Sequence, residues 1–269
     1  MPIGRWGVSY GICTMINYEK QGRIAIFTID RPEARNAMNA QGMLELRDKM
    51  LQFSNDQDLW VGVITGASEK AFCGGADVKE MVSFQQAHPG QYWERPDSPM
   101  RGLEIWKPLI AAINGVALGG GLEIVLACDI RIASKNARFG TPEASLGLMP
   151  GWGGTQRLPR MIPWARAAEL LLGGKTIDAQ EAYQVGLVNE VVPPPEVMPT
   201  AIRRAETMCK LGPLSLRAIK QAMIKGTSTS LEEGLQIEKE LVKYLVSTED
   251  FAEGVNAFVE KRKPEYKAR

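Results

Sequence analysis

The chain has 269 residues, 45% hydrophobic and 23% charged, enough for a sizeable core in one large domain or a domain with an appendage. Its 32 basic and 31 acidic side chains leave a formal net charge of +1, which excludes a strong overall field for gathering nucleic acid or an acidic membrane surface. Cys13, Cys73, Cys128 and Cys209 are far apart without CxxC pairing and read as reduced thiols, while the one histidine, His88, lies in a polar loop-like stretch and rules out a multi-histidine metal centre.

The opening "MPIGRWGVSYGICTMINYEKQG" has one early positive charge and no long apolar h-region. No stretch approaches the ~18 apolar residues of a membrane span, so a cytoplasmic protein without membrane contact is expected. Ile24 to Ile29 alternates and is β-rich before Arg31 and Pro32 break it, which predicts a strand entering a loop. In "AQGMLELRDKMLQFSND" the residues Leu46, Met50 and Phe53 form one helical stripe, and Val61 to Thr65 is short and β-branched like a buried strand. The segment 81–100 reads as a long irregular loop that could serve as a lid.

"LIAAINGVALGG" supplies a further buried strand and "IRIAS" another, on either side of a helix that carries Glu123. Strands separated by helices favour a mostly parallel sheet with crossover helices. From about residue 154 onward the spacing is helical, with "GLVNEVV" as the interrupting strand. Asp178 reads as an N-cap, and glycines 173, 174, 186, 212 and 226 read as C-terminal helix caps. The fold class is therefore α/β, with a helical C-terminal region that either covers its own core or packs on a neighbouring subunit.

Two glycine-rich turns, "AFCGGADVKEM" and "ALGGGLE", each follow a strand-like segment and lead into a helix. Each can present unpaired backbone N–H groups at a helix N-terminus, and two such donors would hold a developing negative oxygen. Neither matches a dinucleotide fingerprint or a P-loop. Glu123 stands among Leu122, Ile124, Val125 and Leu126, and Glu143, in "FGTPEASLGLMPGWGG", also lies among apolar residues. Burial raises the proton affinity of a carboxylate, so a pair of such acids beside an oxyanion hole can take a proton from water and deliver one to carbon. Two acids could also serve a glycosidase, but that leaves both glycine turns without a role.

In "AFCGGADVKEM", "INGVALGGGLEIVLACDIRIAS" and "FGTPEASLGLMPGWGGTQRLPR" the chain resembles the crotonase superfamily, and within it the enoyl-CoA hydratases. The likeness runs from "IDRPEARNAMN" to "FVEKRKPEY". It implies a crotonase-like spiral of ββα units over residues 1–200 and a helical trimerisation region over 201–269, with trimers commonly paired into hexamers. It also implies reversible hydration of a 2-enoyl-CoA to a 3-hydroxyacyl-CoA in fatty-acid or related acyl degradation. No metal or redox cofactor is implied, coenzyme A being part of the substrate. Ala76 and Gly120 match the positions whose N–H groups hold the thioester oxygen, Glu123 the acid that activates water, and Glu143 the acid that exchanges the α-carbon proton.

The CoA handle is expected along Arg35, Ala37, Ala76, Asp77, Val78, Lys79 and Gly120, with Lys261 adding a contact across a subunit boundary and Trp152 a wall of the acyl pocket. A cyclic dienoyl-CoA hydratase, a carnitinyl-CoA dehydratase and an enoyl-CoA isomerase remain open as alternatives, as does the acyl length. Some members of the superfamily bind RNA, but the balanced charge and the lack of an RNP-type aromatic motif argue against a nucleic-acid partner.

Overall fold

A computed structural model describes residues 14–87 and 104–269. Cys13, His88 and most of the segment expected to be an irregular loop lie outside the described residues. The chain opens with a hairpin of β1 (Ile16–Gln21) and β2 (Ile24–Ile29), turned at Gly22 with a φ of 56°, and continues into α1 (Ala40–Asn55).

Three units follow, each laying one strand in each of two sheets before a helix. They are β3 (Val61–Gly66), β4 (Ala71–Cys73) and α2 (Val78–Ala87); β5 (Leu109–Ile113), β6 (Val116–Leu118) and α3 (Gly120–Leu126); and β7 (Ile130–Ser134), β8 (Arg138–Gly140) and, after a 3-10 turn at Pro142–Leu146, α4 (Gly154–Met161). The remainder is α5 (Trp164–Leu171), β9 (Thr176–Asp178), α6 (Ala179–Gln184), β10 (Glu190–Val192), α7 (Val197–Met208), α8 (Pro213–Gly226), α9 (Leu231–Leu245) and α10 (Glu249–Val259).

The larger sheet runs β1-β2-β3-β5-β7-β10, parallel throughout except for β1, and the smaller runs β4-β6-β8-β9 with β9 antiparallel. This repetition of long strand, short strand and helix is the ββα spiral that the sequence resemblance implied. The larger sheet is covered on both faces, which is why its strands read as continuous apolar runs. On one face Phe27, Ile64, Leu109 and Ala111 join Leu46, Met50 and Phe53 of α1. On the other, Val61, Val63, Ile110 and Ile132 meet Val197, Ala201 and Ala205 of α7. The side-chain period of two assigns alternate residues of one strand to the two cores.

The boundary expected between residues 200 and 201 falls inside α7, and the helices that leave the sheets begin at α8. Lys220 on α8 is buried and donates to Asp129 Oδ2 (2.8 Å) and the Lys107 carbonyl (3.1 Å), holding α8 to the segments that lead into β7 and β5. No residue of α9 is buried, and it packs on α8 where Gly226 and Gly234 meet: a Cβ on Gly234 would lie 3.4 Å from the Gly226 Cα. The chain end folds back, its Lys267 and Ala268 amides donating to the Asp250 carboxylate at 2.7 and 3.0 Å.

Three local expectations are corrected. Residues 81–87 are the second half of α2 rather than irregular loop. Gly212 precedes α8, which Pro213 starts with its preset φ, and Gly226 is the last residue of that helix, small because α9 crosses there; neither closes a helix at positive φ. Gly174 and Gly186, at φ 60° and 80°, do follow α5 and α6, and Asp178 caps α6 by accepting from the Glu181 amide at 2.9 Å.

Candidate active site

The two glycine turns meet at the same end of the spiral because β4 and β6 are parallel neighbours, which brings the segments after their C-terminal ends side by side. A Cβ on Gly75 would lie 3.3 Å from the Gly120 nitrogen. The loop before α2 is pinned by a short bridge in which the Met38 amide donates to the Gly75 carbonyl (2.7 Å) and the Asp77 amide to the Met38 carbonyl (2.9 Å). That pattern leaves the Ala76 N–H without an acceptor among the described residues, as does the start of α3 for the Gly120 N–H.

The three glycines of "GGG" have three separate physical reasons. Gly119 precedes α3 with φ 54° and ψ −127°, a conformation closed to a side chain, and a Cβ there would meet Glu143 Oε1 at 3.0 Å. A Cβ on Gly120 would collide with the six-membered ring of Trp152, its Cη2 only 2.8 Å away. On Gly121 it would run into the Cys73 carbonyl, whose carbon would be 2.8 Å away, so this glycine lets α3 press against β4.

Glu123 sits in the first turn of α3 and is 2% exposed. Its Oε1 accepts from the backbone amides of Trp152 (2.7 Å) and Gly154 (2.6 Å), both in the loop entering α4. Burial pushes its carboxyl up to about 7 against the pull of those two N–H groups, and the neighbouring Glu143 raises it further while Arg157 opposes. With Oε1 doubly held, Oε2 is the atom left to face a reactant.

Glu143 lies in the 3-10 turn after β8, and burial raises its pKa as well. Its Oε2 is buried with no hydrogen-bond partner among the described residues. The carboxyl borders Gly119, the residue immediately before the Gly120 N–H, so the two acids and the two free N–H groups share one small volume.

The residues expected to bind CoA occupy a neighbouring arc of surface. Arg35, Val78 and Lys79 are exposed, and Ala37 gives its carbonyl to Arg31 Nη1 at 3.2 Å. Asp77 has work of its own: Oδ2 pairs with Arg31 Nη1 at 2.6 Å, and Oδ1 accepts from the Lys79 (3.0 Å) and Glu80 (3.2 Å) amides at the start of α2. Burial raises the Asp77 carboxyl, but the Arg31 contact and the backbone donors outweigh it and leave it low. Lys261, exposed beyond the end of α10 at φ 56°, forms no ion pair among the described residues.

Sequence reasoning missed Asn36, Arg31, Asn114 and Arg157. Asn36 is fully buried at φ 57° and donates through Nδ2 to the carbonyls of Ala67 (3.0 Å), Ala71 (2.8 Å) and Phe72 (3.3 Å), while its Oδ1 accepts from the Arg31 amide at 3.0 Å. It thereby ties the "ARNAMN" loop to the strand that delivers Ala76. Asn114 grips the same hairpin through the Ala71 carbonyl at 3.0 Å. Arg157 holds the Trp152 carbonyl at 2.9 Å. The sequence carried no local signal for Asn36, whose neighbours Arg35 and Ala37 are exposed and half-buried.

Residues 19–269 match the sequence profile of the enoyl-CoA hydratase/isomerase family. The chain belongs to that family. It is 42% identical over 248 residues to a short-chain-enoyl-CoA hydratase of Clostridium acetobutylicum, covering 92% of this chain and 95% of that one. It is also 41% identical over 252 residues to an (E)-benzylidenesuccinyl-CoA hydratase of Thauera aromatica, covering 94% and 98%. A crystal structure of enoyl-CoA hydratase from Bacillus anthracis superposes with a TM-score of 0.88 at 39% identity, over 95% of this chain and 100% of that one. The fold is that of the enoyl-CoA hydratase/isomerase family. The acyl groups in those two relatives' names differ, so family membership alone does not select one.

Proposed function

We propose that this protein hydrates a 2-enoyl-CoA thioester reversibly to a 3-hydroxyacyl-CoA. The observation that carries the reading is the meeting of two carboxyls whose pKa values burial raises with two unengaged backbone N–H groups on adjacent loops. In the hydration direction Glu123 Oε2 takes a proton from water as the water oxygen bonds to C3. The C2=C3 π electrons then move into the thioester, and the enolate oxygen rests on the Ala76 and Gly120 N–H groups. Glu143, protonated, gives its proton to C2, and the C=O bond re-forms. A carboxyl pushed up to about 7 suits Glu123 as a base poised near neutrality, and the upward shift of Glu143 favours the protonated form that the second transfer requires.

The substrate carries its own coenzyme A, and the reaction calls for no separate cofactor. The exposed Arg35 and Lys79 would meet its phosphates, with Ala37, Asp77 and Val78 on the same loops. Lys261 would serve a neighbouring subunit's CoA. Assembly is supported by apolar stripes that no described residue covers: Leu231, Leu235, Val242 and Val246 along and just past α9, and Phe251, Val255, Phe258 and Val259 along α10. These suit a trimer or a hexamer of two trimers. No helix among the described residues is long and apolar enough to cross a membrane. The free thiols of Cys73, Cys128 and Cys209 agree with the reducing cytoplasm.

Incubation with crotonyl-CoA tests the reading by loss of the conjugated-thioester absorbance. Hydration supports it. No reaction with crotonyl-CoA, alongside turnover of a cyclic dienoyl thioester or migration of a 3-enoyl double bond, would move the assignment to another reaction of the family.

A further inference from the structure

Trp152, expected from the sequence as a wall of the acyl pocket, meets the candidate site through both its amide and its ring. Its amide is one of the two donors that hold Glu123 Oε1. Its indole lies on the bare Cα of Gly120, close enough that a methyl group there would overlap Cζ3 and Cε3. The backbone that carries the ring is clamped on both sides: the Trp152 carbonyl is held by Arg157, and the next residue, Gly153, has a φ of 110°. The ring is half-buried against the core and cannot retreat by backbone movement without releasing Glu123.

On the hydratase reading above, the thioester oxygen sits at the Gly120 N–H and C3 sits at Glu123. Trp152 spans those two points, its ring against Gly120 and its amide on Glu123, which puts the indole beside the path the rest of the acyl chain takes away from C3. A buried aromatic ring fills a large volume, and one or a few added methylenes change binding in a tight apolar pocket by large factors. We infer that the Trp152 indole closes the acyl pocket immediately beyond C3, making this enzyme selective for short straight-chain enoyl thioesters. Trp152 is a specificity-determining residue through its ring and a positioning residue for Glu123 through its amide. Replacement of the ring separates the two roles, because every variant except proline keeps the amide.

The test compares kcat/KM for straight-chain 2-enoyl-CoA substrates of four, eight and twelve carbons in the wild type, Trp152→Phe and Trp152→Ala. The wild type is expected to favour the four-carbon substrate. The eight-to-four ratio should rise at least about tenfold in Trp152→Ala and by an intermediate factor in Trp152→Phe, with an unchanged pH profile on the four-carbon substrate. A ring that only supports the core would lower all three rates together and leave the ratio where it was, which overturns the inference.

Calorimetric titration with saturated acyl-CoA thioesters of the same lengths reads the pocket without turnover, so the inference survives or falls even if the hydration chemistry is assigned wrongly. Wild-type protein that binds the twelve-carbon thioester at least as tightly as the four-carbon one, with the same preference in Trp152→Ala, would contradict it. Thermal melts show whether Trp152→Ala is folded, and Trp152→Phe carries the comparison if it is not.

Discussion

The spiral core and the C-terminal helices obey different rules. Around Glu123 nearly every backbone and side-chain group is committed: strands are buried on both faces, each glycine of "GGG" answers a separate steric demand, and Asn36 reaches three carbonyls. On α9 no residue is buried, and the apolar stripe is open to solvent. A site that must aim two acids and two N–H groups at one bond needs a frame that cannot relax. A surface that is apolar and uncommitted needs a neighbour. The contrast teaches that geometry for chemistry is built within the chain, while the outer helices keep an apolar stripe open to solvent, as the proposed assembly requires.

Substitutions can break that contrast in either direction. The largest effect is expected for Glu123→Gln, which should lower hydration turnover on the order of a hundredfold or more with an unchanged circular dichroism spectrum. Next, Asn36→Ala should destabilise the fold by about 2–4 kcal/mol in a urea titration, since several buried carbonyls lose their donor at once. A loss below 0.5 kcal/mol, on the order of an ordinary surface change, would show that the loop holds without it.

The buried acid has a pH signature. The folded-state pKa of Glu123, about 7, lies above its ordinary value of 4.5, so its contribution to stability is full below the ordinary value and is lost as pH rises through about 7. Glu123→Gln cannot ionise. Its stability relative to the wild type should therefore improve by about 1–3 kcal/mol between acidic and mildly alkaline pH, measured by paired denaturation curves. A flat difference would mean that Glu123 is not strained by burial.

On the outer helices the effects should be smaller and different in kind. Ser230 caps α9 in a reciprocal box with Glu233, and Ser230→Ala should cost about 1 kcal/mol. Leu235→Lys, on the exposed stripe, should yield a smaller species in sedimentation while the helix content holds. If that variant sediments like the wild type, the stripe is not the assembly surface.

The sequence disclosed the larger sheet and the helices far better than the smaller sheet. β2 alternates, β3, β5 and β7 are longer apolar or β-branched runs and α1 carries a helical stripe, whereas β4, β6, β8 and β9 are three residues each, too short for a pattern to register. β1 was missed because its sequence, INYEKQ, buries one residue and is polar beyond it, as befits an edge strand. The acids and glycines were legible because buried charge and grouped glycine are conspicuous in any register. Asn36 was not, because its partners lie 31 to 36 positions away and only the fold brings them together.

The central claim is that Glu143 delivers and removes the C2 proton opposite Glu123. Crotonyl-CoA turnover by wild type and Glu143→Gln, with CoA binding measured on the same samples, tests it most directly. A loss on the order of a hundredfold with binding retained is the predicted result. Near-normal turnover in Glu143→Gln would contradict the account.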